Sequence, residues 1–197
     1  MIADLKISPM RRALIVLPCL PCLWLACAIA GAMPPACQPE AAQVLAAVNA
    51  LRADAHRCGA DAMAPARPLR WNEALALSAQ RYAEELARRQ ILSHEGQVLR
   101  SLGMRLRAAG YDMQQAGENL AAGQDDLAEV MAQWVSSPGH CKNLMQPAYE
   151  DVGLACVASP GRYGHYWVLH LGRSAQQQPS LMIPRSLPGS LPSRLIW

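Results

Sequence analysis

Five polar side chains in this sequence could take part in chemistry, and they lie in three separate segments: His94, Glu118, Asn119, His140 and Asn143. Each segment falls at the predicted boundary of a helix or an extended segment, where side chains serve sites more often than cores. Imidazole and carboxylate groups can ligate a divalent ion or exchange protons. The alternative is that they only hydrogen-bond to one another, because buried polar groups need partners.

Several common catalytic signatures are absent from the sequence. It contains no G-x-S-x-G, Walker A or G-x-G-x-x-G motif. The segment that starts at His94 begins like the zinc-protease motif H-E-x-x-H, but Val98 replaces the second histidine. Gly96 would also weaken the helix that must present both ligands. No nucleophile is recognisable, which favours binding over catalysis.

Residues 1–32 have the order of an export signal. Basic residues come first, an apolar run follows from Ala13 to Ala30, and small residues stand at its end. We therefore expect a signal peptide whose removal leaves a mature chain that starts between Gly31 and Met33.

Two other interpretations of this N-terminus stay open. An uncleaved membrane anchor is one, although Pro18 and Pro21 interrupt the apolar run. A lipoprotein signal ending at Cys27 is the other, although Trp24 stands where a small aliphatic residue is usual. The prediction is a secreted or periplasmic protein with no membrane span in its mature form.

The mature chain carries almost no net charge. Without residues 1–32 it has 15 basic and 14 acidic residues, which gives no electrostatic case for nucleic acid. Its length is enough for one domain with a real core. We expect residues 33–39 to be a linker, 40–173 to form the domain, and the Gln-, Pro- and Ser-rich residues 174–197 to be a mobile tail.

Hydrophobic periodicity and capping residues predict a mixture of helices and strands. The predicted helices are 40–57, 73–89 capped by Asn72, 97–109, 127–136 capped by Asp126, and a short helix that begins at Pro138. The predicted extended segments are 116–120 and a hairpin of 150–157 with 163–171. This irregular alternation indicates an α/β sandwich rather than a doubly wound sheet.

Four of the seven cysteines lie beyond the predicted signal: Cys37, Cys58, Cys141 and Cys156. An even number in an oxidising compartment predicts two disulfides. Three pairings are possible, and closeness in sequence favours Cys141–Cys156 together with Cys37–Cys58.

The remaining aromatic and histidine residues receive plainer assignments. Trp71, Trp134 and Trp167 are expected in the core, since the chain contains no phenylalanine. His56 and His165 are expected on the surface.

Five short motifs also follow one another along the chain: Asn49-x-x-Arg52, Leu69-x-Trp71-Asn72, Ser93-His94, Gly117-Glu118-Asn119-Leu120, and Trp134-x-x-Ser137-Pro138-Gly139-His140-x-x-Asn143-Leu144. In this order they resemble the motifs of the CAP superfamily, which comprises cysteine-rich secretory, antigen 5 and pathogenesis-related-1 proteins. The resemblance covers roughly residues 40–172 and implies a three-layer α-β-α sandwich.

The resemblance also implies a cleft lined by His94, Glu118 and His140, a place that binds divalent metal in some members. Two neutral imidazoles and a carboxylate suit zinc and leave one position open for water or a ligand. Asn143, three residues after His140 on a helical turn, is expected to point to the same side of the cleft and to brace the loop. The chain departs from the family pattern at Ser137, near where many members have a second cleft glutamate, and at 168–171, where they commonly have Thr-Gln-x-Phe.

The function expected from these features is a secreted binding module whose cleft holds a divalent metal or a small ligand such as a lipid, a sugar or a cell-envelope component. The alternative is a metal-assisted extracellular hydrolase, with His94 and His140 as zinc ligands and Glu118 as general base. A scaffold that acts through surface contacts is a third class. The sequence does not predict the oligomeric state.

Overall fold

Residues 36–175, which the computed structural model describes, alternate short helices with strands. In chain order the elements are α1 (Ala41–Ala53), β1 (His56–Cys58), β2 (Asp61–Met63), β3 (Arg70–Trp71), α2 (Glu73–Arg89), α3 (Leu102–Ala108), β4 (Met113–Ala122), α4 (Leu127–Ser136), α5 (Pro138–Met145), β5 (Asp151–Ala158) and β6 (His165–Ser174).

A four-stranded sheet in the order β3-β5-β6-β4 lies at the centre of the fold. β3 is parallel to β5, and the other pairs are antiparallel. β5 and β6 are buried along most of their length, as is typical of strands covered on both faces. α2 packs on one face, and α1, α4 and α5 cover the other. The fold is therefore the three-layer sandwich that the motifs imply.

The long helix α2 forms where its cap and its periodicity predict it. The side chain of Asn72 accepts hydrogen bonds from the backbone N–H groups of Ala74 and Leu75, which satisfies two donors that a helix start leaves free. Tyr82 and Leu86 lie on its buried face. The helix ends at Arg89 and is capped by Gln90, whose φ of 53° is the left-handed conformation that commonly terminates helices.

Several element boundaries differ from the predicted ones. α1 ends at Ala53 instead of continuing to residue 57, because 56–63 form the hairpin of β1 and β2. α3 begins only at Leu102, after Ser101 caps it by accepting from the N–H of Met104. β4 is twice as long as predicted, because it pairs with β6 from Met113 to Ala122, with one irregularity at Gln114.

The four cysteines form two disulfides, but the predicted pairing is wrong. The bonds are Cys37–Cys156 and Cys58–Cys141. Cys58 and Cys141 meet because α5 packs against the β1–β2 hairpin in one small buried cluster. Cys156 meets Cys37 because the side chain of Gln38 accepts a 2.7 Å hydrogen bond from the Cys156 N–H, which holds the N-terminal segment along β5. Pairing follows the packing of elements and not the distance along the chain.

The prediction that His165 lies on the surface is also wrong. It lies in β6, only 2% exposed, with Nδ1 3.3 Å from a carboxylate oxygen of Asp125. Trp134 and Trp167 are fully buried as predicted, whereas Trp71 is only partly buried.

The predicted signal peptide lies outside the described residues, as does the predicted tail beyond Ala175. Within 36–175, no helix combines the length and the apolar character needed to cross a membrane.

Candidate functional site

The carboxylate of Glu118 lies in β4 and has protein partners at both oxygens. Oε1 is 2.7 Å from Nδ1 of His94. Oε2 accepts a 2.6 Å hydrogen bond from Arg105 and is 2.9 Å from Nε2 of His170. β4 and β6 pair Glu118 directly with His170, so the two side chains leave the sheet on the same face. The Glu118 side chain is only 4% exposed.

The ionisation of this cluster follows from its contacts. Burial alone raises the pKa of Glu118, but hydrogen bonds from His170 and His94 and the nearby positive charges lower it to about 2. The hydrogen bond between His94 and Glu118 raises the pKa of His94. Burial lowers the pKa of His170, which favours its neutral form. Near neutral pH, Glu118 is therefore ionised, and the buried guanidinium of Arg105 supplies a fixed compensating charge.

Arg105 also holds the loop that carries His94. Its Nη1 donates to the backbone carbonyl groups of His94, Leu99 and Arg100, each at 3.3 Å. Its guanidinium lies 3.7 Å from the ring centroid of Tyr82, within range of a cation–π interaction. A single arginine therefore fixes both the carboxylate and the loop that reaches it.

His140 and Asn143 approach β4 from the opposite side. Asn119 follows Glu118 in the strand and so points to the other face of the sheet. Its Nδ2 donates to the carbonyl oxygen of His140 at 3.1 Å, and its Oδ1 accepts from Nδ2 of Asn143 at 2.9 Å. Asn143 Nδ2 also lies 3.2 Å from the carbonyl oxygen of Glu118. Amide side chains thus fasten α5, which begins at Pro138, to the strand.

The two candidate imidazoles differ in exposure and in charge. The His94 side chain is 65% exposed, whereas Nδ1 of His140 is buried with no hydrogen-bond partner among the described residues. Burial lowers the pKa of His140, and so does the charge of His94. The two rings are therefore electrostatic neighbours, and their pKa values move in opposite directions.

Among the residues expected to line a cleft, the structure brings some into contact and not others. His94 bonds to the side chain of Glu118, and Asn143 bonds to its backbone. The His140 side chain bonds to neither His94 nor Glu118.

Arg105 and His170 both hold Glu118, but neither is among the site residues predicted from the sequence. The signal available for Arg105 was an arginine placed between Leu102 and Leu106 on the inward side of a short helix. For His170 it was the alternation with the buried Val168 on one face of β6. Neither pattern identifies a partner, because the partner comes from another element.

The glycine that precedes Glu118 is required by close packing. A Cβ at Gly117 would lie 2.5 Å from the hydroxyl oxygen of Tyr149 and 3.1 Å from its ring. Real side chains do not approach so closely, so any larger residue here would displace either Tyr149 or β4. This packing accounts for the glycine of the Gly117-Glu118-Asn119 motif.

The side chains do not fit a zinc ion held by three protein ligands. Among the described residues, no group of three or more His, Cys, Asp or Glu could hold a metal ion. Glu118 is closed to an ion because its oxygens already bond to His94, Arg105 and His170. Two imidazoles remain, one fewer than usual zinc sites supply. Metal ligation by His94 and His140 stays a prediction.

The sequence matches a known protein family, and the fold is similar to solved structures of bacterial proteins. The sequence profile of the cysteine-rich secretory protein family, CAP, matches residues 45–171. An extracellular protein containing an SCP domain from Bacillus anthracis is 28% identical, with a TM-score of 0.50 over 55% of this chain and 35% of that one. An outer surface protein from Borrelia burgdorferi is 17% identical, with a TM-score of 0.57 over 71% of this chain and 99% of that one.

The match to the Bacillus protein thus spans about a third of that protein's length. No curated protein sequence matches this chain.

Proposed function

Because the chain belongs to the cysteine-rich secretory protein family, we propose that it acts as an extracellular binding module. The ligand site is the surface at His94 and His140, and the ligand is a small molecule such as a lipid or a sugar, or a divalent ion. Two disulfides, which persist in oxidising compartments, support a secreted or periplasmic location. The likeness to an extracellular protein of Bacillus anthracis supports the same location.

The observation that carries this proposal is the commitment of Glu118 to structural bonds. A general base works best with a pKa near the working pH and with an oxygen free to take a proton. The pKa of Glu118 is about 2, and both oxygens are bonded to protein groups. The hydrolase alternative needs this carboxylate as its base, so the geometry favours binding.

The two imidazoles supply complementary groups for a ligand. Nδ1 of His94 is bonded inward to Glu118, which leaves Nε2 without a partner among the described residues on a largely exposed ring. The raised pKa of His94 favours a cation, and the lowered pKa of His140 favours a neutral ring. A polar ligand at this edge of the sheet would then find a cationic donor at His94 and a neutral imidazole at His140.

Histidine-resolved NMR of the purified protein tests this proposal. Zinc, a chitin-type oligosaccharide and a short-chain phospholipid are titrated separately. We expect at least one of them to shift the imidazole signals of His94 and His140 and to leave His56, which lies on β1, unchanged.

Two variants serve as controls. Binding of that probe, measured by isothermal titration calorimetry, should be lost in the variant His94→Ala/His140→Ala and should persist in His56→Ala. No response to any of the three probes would contradict the binding site. Metal-dependent turnover of ester, peptide or phosphate substrates that the double variant abolishes would establish the hydrolase instead.

A further inference from the structure

A pocket of about 500 Å³ lies at one end of the sheet, away from the histidines. β3 and β5 begin there and β6 ends there, since β6 runs antiparallel to β5. One wall is the loop 65–68, and the other is the loop 147–149. Its volume falls within the range of sites for small molecules.

One buried arginine ties the two walls together. Arg52, on α1, is completely buried and donates to the carbonyl oxygen of Arg67 at 2.8 Å in one wall. It also donates to the carbonyl oxygens of Leu144, Gln146 and Tyr149, at 2.6, 3.1 and 3.4 Å, leading into the other wall. Buried hydrogen bonds therefore hold both walls in place, which lowers the entropy cost of binding a ligand.

The charge of Arg52 is not neutralised by a carboxylate. Among the described residues its guanidinium bonds only to carbonyl oxygens. Carbonyl dipoles satisfy its N–H groups but leave its full positive charge in place. A positive charge buried in a medium of low dielectric raises the potential of the adjoining cavity.

The rim of the pocket adds further positive charge. Arg70 and Arg173 share the carboxylate of Glu150, at 3.6 and 3.4 Å. Arg67 is exposed and has no ion pair among the described residues. Asp151 accepts a 3.3 Å hydrogen bond from Arg70 and another from Tyr111, and its side chain is almost completely buried. Around the pocket, the four positive charges of Arg52, Arg67, Arg70 and Arg173 exceed the two negative charges of Glu150 and Asp151.

The remaining walls are apolar and rigid. Pro65, Pro68 and Pro147 line the pocket and are exposed to it. Their fixed rings offer flat apolar surface without loss of conformational freedom. An anionic group alone would leave this surface uncovered.

We propose that this pocket binds a small organic carboxylate with an apolar ring or chain. The arrangement of Glu150 between Arg70 and Arg173 shows that a carboxylate fits between these guanidinium groups. The ligand's carboxylate pairs with Arg67 and competes with Glu150 for Arg173 and for the donors of Arg70 that Asp151 does not hold. Guanidinium groups bind carboxylates through paired donors. Its apolar part lies on the proline rings.

Titration of the purified protein with benzoate, followed by NMR, tests the proposal. Benzoate should shift backbone signals of the two loops, whereas the uncharged analogue benzamide should not. Inorganic phosphate should bind more weakly, because it cannot cover the proline rings. Equal binding of benzamide, or stronger binding of phosphate, would overturn the assignment to an organic carboxylate.

Charge variants make the test specific to this pocket. Arg67→Gln should weaken benzoate binding about tenfold, equivalent to about 1.4 kcal/mol. Arg88→Gln, the same change at an exposed arginine on α2, should have no effect. Glu150→Gln should strengthen binding, because it removes the competing carboxylate.

An unchanged affinity in Arg67→Gln, or weaker binding in Glu150→Gln, would contradict the proposal. The pocket does not depend on the histidine site, so His94→Ala/His140→Ala should bind benzoate as the unmodified protein does.

Discussion

At Glu118, three segments that are distant in sequence meet on one buried carboxylate. The loop of His94, the helix of Arg105 and the strand of His170 each supply one partner. Taking a charge pair out of water is costly, and the pair is tolerable only when the remaining lone pairs are also satisfied. His94 and His170 satisfy the remaining lone pairs of Glu118. The cluster therefore acts as a unit, because the loss of one member leaves the others without a hydrogen-bond partner.

Replacing Arg105 with methionine should expose this dependence. The variant keeps much of the side-chain volume but leaves Glu118 buried without its cation, and it frees three carbonyl groups of the His94 loop. Breaking a buried pair in this way costs about 3 to 5 kcal/mol of unfolding free energy. Urea unfolding measures the loss.

The matched control is Arg107→Met, at an exposed position of the same helix. It should change the unfolding free energy by less than about 0.5 kcal/mol. Equal stability of the two variants would show that the Arg105 pair is not important for folding.

At the scale of residues, His94, Glu118 and Asn143 could be predicted from the sequence, but their hydrogen bonds and the partners Arg105 and His170 could not. His94, Glu118 and Asn143 stand in short motifs with turn and cap residues around them, so their types and places are visible in the chain. The partner of each is decided by strand register and helix packing, which no local pattern encodes. His170 became a partner of Glu118 because β4 and β6 align these two residues.

The contact between α2 and β5 leaves no room for a side chain. A Cβ at Gly153 would overlap the backbone of Leu75 and Ala76 in the first turn of α2. Backbone atoms cannot move aside as a flexible side chain can, and the opposed residue His170 lies in the same region of the sheet. Gly153 therefore sets how closely α2 approaches the part of the sheet that carries His170 and Glu118.

We expect Gly153→Ala to lower the unfolding free energy by about 3 kcal/mol through this overlap. Thermal unfolding followed by circular dichroism measures the change. The control is Gly139→Ala in α5, where an added Cβ meets nothing, and where alanine should stabilise the helix by about 0.5 to 1 kcal/mol. A Gly153→Ala protein as stable as the unmodified one would refute the packing argument.

At the scale of elements, prediction succeeded where local signals are complete. α2 and α4 carry an N-cap and an apolar stripe, and both begin where the caps indicate. The predicted helix 97–109 is longer than α3 because residues 97–101 continue the polarity pattern of the helix. In the structure they belong to the loop that Arg105 holds. The predicted disulfide pairing is wrong because it rests on proximity in sequence. Proximity in space depends on how the layers pack together.

The stability of the whole molecule should depend on pH mainly on the acid side. Glu118 has its pKa lowered from 4.5 to about 2 by folding, so its contribution is present above pH 4.5 and is lost as the pH falls toward 2. This is on the order of 3 kcal/mol. His140 and His170, whose pKa values fall on folding, add a loss below about pH 6.5. His94, whose pKa rises, acts in the opposite sense.

Unfolding free energies measured from pH 8 to pH 2 test this expectation. The curve should decline below pH 6.5 and most steeply below pH 4.5. Glu118→Gln should flatten the steep part, whereas Glu84→Gln, at an exposed position on α2, should leave it unchanged. An equally steep curve in Glu118→Gln would mean that other carboxylates control acid unfolding.

The two disulfides are nested: the Cys58–Cys141 link, with a sequence separation of 83, lies inside the Cys37–Cys156 link, with a separation of 119. If the predicted signal with Cys19, Cys22 and Cys27 is removed and the chain is oxidised as it leaves the membrane N-terminus first, the first thiol available to Cys37 belongs to Cys58. A bond made between these two has to be opened by attack of another thiolate before either native bond can close. Oxidative folding by that route is then limited by disulfide exchange, which takes seconds to hours, and not by the formation of helices or strands.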